Sequence, residues 1–194
     1  MNKNIEHYLF HKENFLDEKY CENCIDELDK CTWEKHDWYM APTDSKFSPS
    51  GDNEPEVLSS NMFSNDIHEI NEFILQNLHS TILEYIKSFK FEWFDGWGGY
   101  SDIRFNRYLP GQEMRQHCDH IHYMFDGERK GIPTLSIVGL LNDDYEGGEF
   151  IMFEDKKIDT KKGDLLIFPS NFLYPHKVTP VTKGVRYSYV SWVW

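Results

Sequence analysis

Apolar positions along the chain change their period near residue 90. From Ile67 onward they recur as Ile70, Phe73, Ile74, Leu78, Ile82, Tyr85 and Ile86, the i, i+3, i+4 spacing of a helix that buries one stripe. Asn65 or Asp66 stands where its N-cap is needed. A shorter amphipathic helix is predicted over residues 17–31, where Tyr20, Cys24, Leu28 and Cys31 keep helical spacing and Asp17 can cap. Between the two, residues 41–60 collect Pro42, Pro49, Gly51 and Pro55 among Ser, Asp and Asn. That composition predicts an irregular surface loop long enough to act as a lid.

Past Lys90 the helical period gives way to short β-branched and aromatic runs punctuated by Gly, Pro, Asn and Asp. Strands are predicted over residues 100–108, 113–120, 134–141, 149–153, 157–160, 164–168, 174–178 and 184–194, a spacing that suits a sandwich or barrel. The fold class expected is therefore mainly β with flanking N-terminal helices. A chain of 194 residues is long enough for one full core. The expectation is a single domain, with residues 1–92 forming a helical and irregular support for a β core over residues 93–194.

Charge narrows the function classes. Twenty Lys and Arg oppose 33 Asp and Glu, a formal net charge of −13, and such a surface repels phosphate backbones, so no nucleic-acid partner is expected. No apolar run approaches the roughly 18 residues of a membrane span, and the N-terminal residues lack a signal peptide's apolar stretch. No membrane partner and a cytoplasmic location are expected. Cys21, Cys24 and Cys31 are bunched and Cys118 is remote, which is unlike a disulfide framework and fits a reducing compartment. A zinc site on the three bunched cysteines would need His36 as its fourth ligand; the plainer expectation is buried thiols.

Candidate chemistry is densest at His117-Cys118-Asp119-His120-Ile121-His122. On a strand, period two turns His117 and Asp119 to one face. His176 begins a later predicted strand, and two His with one Asp from two strands form the facial triad that holds Fe(II) and leaves positions open. Further along, Arg186 and Ser188 share a face of the last strand, a guanidinium and a hydroxyl arranged as a fork for a carboxylate. Tyr108, at the end of the strand before His117-x-Asp119, can donate to the same carboxylate.

These residues belong to a longer pattern. Tyr108-Leu109-Pro110-Gly111, His117-x-Asp119, Leu141-Asn142-Asp143, Gly147-Gly148-Glu149, the run from Gly163 to Phe168, His176-x-Val178, Arg186-Tyr187-Ser188 and Trp192 resemble the prolyl 4-hydroxylase group of Fe(II)/2-oxoglutarate-dependent dioxygenases in order and spacing. The resemblance covers residues 103–194. It implies a double-stranded β-helix, or jelly roll, in agreement with the strand count. It also implies iron held by His117, Asp119 and His176, and 2-oxoglutarate held at its distal carboxylate by Arg186 with Tyr108 and Ser188. O2 would be the second cosubstrate and ascorbate a supporting reductant. Arg186 places the chain with family members that use arginine rather than lysine, and the extra tyrosine some members carry on the strand equivalent to residues 138–141 is missing.

The expected reaction is hydroxylation of a C–H bond with release of succinate and CO2, on a prolyl residue of a peptide or protein. Asp143, Asp144, Glu146, Glu154 and Asp155 would favour a basic one. The aromatic run Trp93 to Tyr100, rich in glycine, either flanks the mouth of the site or packs the two halves of the chain together. Gly147-Gly148 reads as a turn between strands, and Trp192 as a core aromatic. Two other readings share the same residues: the same chemistry on a free amino acid or other small molecule, and a jelly-roll protein that binds metal or ligand without catalysis.

Overall fold

The computed structural model describes residues 4–40, 45–89, 97–119 and 133–194. Two helices, α1 (Glu18–Leu28) and α2 (Asn65–Ser88), pack against a sheet built largely from the second half of the chain. Asp17 caps α1 as expected, its carboxylate accepting from the Tyr20 amide at 2.8 Å. In α2 the cap is Ser64, one residue before the expected position, with its hydroxyl accepting from the Ile67 amide at 3.3 Å. Ser64 is the last residue with extended dihedrals, so the helix starts at Asn65 itself. Ile67, Ile70, Ile74, Leu78, Ile82 and Tyr85 are buried as the stripe predicts, each large side chain contributing about 1.5–3 kcal/mol. Phe73 departs from the stripe: it is 42% exposed and lies against Tyr20, ring centroids 4.3 Å apart.

The strands are β1 (Phe10–Lys12), β2 (Glu34–Lys35), β3 (Trp38–Met40), β4 (Ser45–Phe47), β5 (Glu56–Leu58), β6 (Arg104–Tyr108), β7 (Met114–His117), β8 (Leu135–Leu140), β9 (Glu146–Gly147), β10 (Phe150–Met152), β11 (Lys156–Lys157), β12 (Leu165–Pro169), β13 (His176–Val178), β14 (Val181–Lys183) and β15 (Arg186–Val193). A seven-stranded antiparallel sheet runs β1-β12-β8-β15-β6-β5-β2, and a four-stranded sheet runs β11-β10-β13-β7. The two sheets face each other across a shared apolar cluster that includes Tyr108, Phe168, Phe150 and Val178. This is the jelly-roll core. Each of the eight predicted strands in the second half overlaps an observed one, although β11 meets the predicted 157–160 only at Lys157 and the short β9 and β14 fall outside every predicted strand; residues 120–132 of the stretch after β7 lie outside the described residues.

Residues 1–92 also supply β1, β5 and β2 to the large sheet. Runs of two or three residues are too short to show period two, which is why the pattern alone indicates loop there. Part of the expected 41–60 loop is β4 and β5; residues 41–44 lie outside the described residues. Of the aromatic run 93–100, residues 93–96 are likewise outside them. Trp97 packs on α2 through His79, with centroids 5.1 Å apart, consistent with joining the halves of the chain.

Period two sorts the large sheet into two faces. Phe105, Tyr187, Tyr189 and Val193 turn to the helices, while Arg104, Asn106, Tyr108, Arg186, Ser188, Val190 and Trp192 turn into the cleft between the sheets. Gly139 on β8 makes this possible, because a Cβ there would sit 2.0 Å from Cζ of Tyr189. Only glycine lets that ring lie across the strand.

Cys21 and Cys24 are fully buried in the helix-side core, and burial pushes both thiols up to about 12. A thiol that stays protonated is a poor nucleophile. Iodoacetamide is therefore expected to leave Cys21 and Cys24 unlabelled in the folded protein while reacting at the half-buried Cys31 and Cys118. Peptide mass spectrometry before and after denaturation checks this; rapid native labelling of Cys21 or Cys24 would contradict the packing of α1.

Candidate metal centre and anion pocket

The cleft between the sheets is lined by both of them. Antiparallel pairing of β13 with β7 sets His176 directly opposite His117. Asp119, two residues beyond His117, returns to the same face. The donor atoms of the three side chains lie within 4.8 Å of one another, and they form the one group of three such ligands found among the described residues. His117 Nε2 is 3.5 Å and His176 Nε2 3.7 Å from the same Asp119 Oδ1.

Each imidazole is oriented by its other nitrogen. His117 Nδ1 donates to the Arg115 carbonyl at 2.7 Å, and His176 Nδ1 to the Tyr174 carbonyl at 3.1 Å. Since a carbonyl only accepts, Nδ1 carries the proton and Nε2 presents its lone pair to the centre, the tautomer a metal ligand needs. Burial pushes His176 down to about 4 against the pull of Asp119, so the ring is neutral at physiological pH. Burial alone would raise the Asp119 carboxyl, but His176, His117 and the Ser136 hydroxyl hold it well below the usual carboxylate range. Two imidazoles and one carboxylate are a donor set that fits Fe(II) with positions left open.

Along the cleft from the triad lies Arg186, 2% exposed. Its Nη1 donates to Ser188 Oγ at 2.7 Å, and its Nε is buried without a hydrogen-bond partner. Among the described residues no carboxylate pairs with it. Its guanidinium lies over the Tyr108 ring at 5.1 Å and the Tyr145 ring at 6.0 Å. Burial raises the Tyr108 phenol, against the pull of Arg186 and Arg104, so it remains a neutral donor. A buried cation with only aromatic faces and a hydroxyl around it is costly unless an anion joins it. A carboxylate would fit.

Gly148 gives this guanidinium its room. Its φ is +59°, and a Cβ would come within 3.0 Å of Cδ of Arg186 and of the Tyr145 ring. The expected turn at Gly147-Gly148 is therefore present, and it also shapes the pocket.

All six residues singled out by pattern thus line one cleft. Trp192, expected in the core, forms part of the cleft wall instead, with the Arg104 guanidinium 5.1 Å from its ring centroid. Its even spacing from Arg186 and Ser188 is the signal that could have placed it there, and Asn106 follows likewise from Tyr108. Ser136 and Tyr145 carry no comparable signal. His36 makes no cluster with the cysteines: it lies beside Trp38 and Glu54, and burial with nearby Arg104 and His117 pushes it down to about 3. The zinc alternative fails on that placement. His120 and His122 lie outside the described residues. Among the acidic side chains expected to attract a basic partner, Glu146 pairs with Lys183, Asp144 accepts from Asn142, and Asp143 accepts from the Lys162 amide.

Residues 103–194 match the 2OG-Fe(II) oxygenase superfamily. Over those residues the chain resembles a 2OG-Fe(II) oxygenase domain. A PKHD-type hydroxylase of Alteromonas mediterranea is 34% identical over 96 residues, 46% of this chain and 41% of that protein. One from Xylella fastidiosa is 36% identical over 107 residues, covering 46% and 43%. The chain thus spans about two fifths of the length of these curated relatives. Among solved structures, the viral collagen prolyl hydroxylase of Paramecium Bursaria Chlorella virus-1 superposes with a TM-score of 0.64 at 21% identity, covering 96% of this chain and 94% of that one. A Trichoplax adhaerens prolyl hydroxylase, solved with a hypoxia inducible factor oxygen degradation domain peptide fragment, gives 0.68 at 16% identity, covering 96% and 83%. The chain therefore has the fold of these solved prolyl hydroxylases, and no helix among the described residues is long and apolar enough to cross a membrane.

Proposed function

We propose that this protein is a Fe(II)- and 2-oxoglutarate-dependent dioxygenase that hydroxylates a prolyl residue in a peptide or protein, releasing succinate and CO2. The observation that carries the reading is Arg186: a buried cation with no carboxylate partner among the described residues, in the same cleft as two His and one Asp. His117, Asp119 and His176 would hold the metal through Nε2, Oδ1 and Nε2. Arg186, with Ser188 aligned beside it, would take the distal carboxylate of 2-oxoglutarate, and Tyr108 would close that end of the pocket. When bound, ferrous iron supplies the coupling of oxidative decarboxylation of the ketoacid to insertion of one oxygen atom into a C–H bond. The protein's own residues orient the reactants and keep water from the anion pocket, where the low dielectric strengthens the Arg186 contact.

The prolyl substrate is supported by the names of the solved structures the chain resembles and by the peptide in the Trichoplax structure. Four free cysteines support a reducing, cytoplasmic setting, and we read the whole chain as one domain in which residues 1–92 brace residues 93–194. The test is formation of succinate from 2-oxoglutarate by the full chain with Fe(II) and ascorbate. Turnover is expected for the native protein and background for His117→Ala, and proline-containing peptides are expected to gain one oxygen by mass spectrometry. Absence of succinate from the native protein, with or without peptides, would leave only the binding reading.

A further inference from the structure

The two imidazoles of the triad are packed differently. His176 is held by the Phe150 and Phe168 rings, at 5.4 and 5.2 Å, from within residues 103–194. His117 is the more open ligand, its side chain 17% exposed against 6% for His176. Among the described residues, the aromatic ring other than His176 that packs on it is Trp38, nearly perpendicular at 80° with centroids 5.0 Å apart. Trp38 belongs to β3, in the half of the chain that the family match does not reach.

Trp38 is itself fixed by a carboxylate. Its Nε1 donates to Glu54 Oε2 at 3.0 Å, and the Ser50 amide donates to Glu54 Oε1 at 2.8 Å. Glu54 has no exposed surface at all. His36 stands on the other side of the indole, with centroids 5.2 Å apart, and its Nδ1 is 3.5 Å from Oε2. The segment carrying Glu54 is in turn tied to the start of β7: Glu113 N donates to the Asn53 carbonyl at 2.9 Å, and Ser50 Oγ to Glu113 Oε1 at 3.2 Å. β7 is the strand that ends in His117. One buried carboxylate thus holds the ring that covers the ligand and, through Ser50, the segment tied to the strand that bears it.

Burying a carboxylate is expensive, and an apolar side chain would pack the same space at lower cost. What an apolar residue could not do is accept the indole N–H and set the angle of the ring. We propose that Glu54 is a positioning residue of the metal centre, holding Trp38 against His117 so that this ligand keeps its orientation and its cover from water. The inference rests on the reading of His117 as a metal ligand.

The test is Co(II) binding to the full chain, followed by calorimetry and by the ligand-field absorption of the bound ion, with no substrate present. Glu54→Ala and Trp38→Phe are each expected to weaken Co(II) binding about tenfold, the lower end of what partners of metal ligands typically contribute, and to alter the absorption spectrum. Glu54→Gln, which keeps an acceptor for the indole, is expected to recover part of the loss. Because Glu54 acts through Trp38, the double variant should bind no more weakly than the weaker single one. If Glu54→Ala does not fold, Trp38→Phe and Glu54→Gln carry the comparison. Folded variants with lowered melting temperature but native Co(II) affinity and spectrum would make Glu54 merely structural and overturn the proposal. A native protein that takes up no Co(II) would remove the metal centre itself, a distinct result that defeats both readings.

Discussion

Arg186→Met is expected to leave the ligand-free protein as stable as the native one or more so, while raising the KM for 2-oxoglutarate about a hundredfold or more. The two effects have one cause. Arg186 is 2% exposed, its Nε has no hydrogen-bond partner among the described residues, and a single hydroxyl receives a hydrogen bond from it. Replacing such a cation with an apolar side chain of similar length removes an uncompensated desolvation cost and loses one hydrogen bond of about 1–1.5 kcal/mol. A net gain of about 1 kcal/mol would raise the melting temperature by about 2–4 °C in a chain of this size. With the cosubstrate present the balance reverses, because a buried charge-assisted contact with a carboxylate is worth about 2–5 kcal/mol, and 2.8 kcal/mol is already a factor of 100. Thermal melts with and without 2-oxoglutarate, beside steady-state kinetics, read both quantities. The native protein should gain stability from the ligand and the variant should not. A variant that melts much lower yet keeps its KM would show that Arg186 serves the fold and that the ketoacid binds elsewhere.

Asp119→Asn should abolish metal uptake with little change in shape. Asp119 is the one carboxylate of the donor set, and His176, His117 and Ser136 favour its ionised form against burial. Hard divalent cations depend on such a charge. At a free Co(II) concentration 100 times its Kd, the native protein should be stabilised by about 2.7 kcal/mol, which corresponds to about 5–11 °C in melting temperature. Asp119→Asn and His176→Ala are each expected to show no such shift and to reduce succinate formation to background. The metal-free melting temperature of Asp119→Asn should stay close to native, because the amide can keep one hydrogen bond with the His117 and Ser136 side chains. A full metal-induced shift in this variant would place the ion elsewhere in the protein.

Much of the site was legible because it is written in local spacing. His117-x-Asp119, Arg186-x-Ser188 and the even-numbered cleft residues of β6 and β15 all follow from the period of two that every strand imposes. The stripe of α2 is local in the same sense, and its misplaced cap shows the limit: Ser64, Asn65 and Asp66 are all competent caps, and the choice among them is made by where the chain turns into the sheet. Trp192 was misplaced for a related reason. An apolar aromatic on a strand reads as core unless the face it shares with Arg186 is known to border a cleft.

What tertiary structure alone decided is how separate stretches meet. Nothing within either strand requires His176 to stand opposite His117; that register depends on closing a long connection. The lack of a carboxylate beside Arg186 among the described residues, the pairing of β1 and β5 into the large sheet, and the link from Glu54 through Trp38 to His117 likewise depend on residues distant in the chain. The amino-acid order by itself determined which side chains each element offers to each face, because backbone geometry repeats every two or 3.6 residues. Which faces then share a cleft, and which charge in it is left for a ligand to neutralise, came only from packing: burial and pairing are properties of the assembled sheets, set by the entropy and sterics of bringing remote segments together.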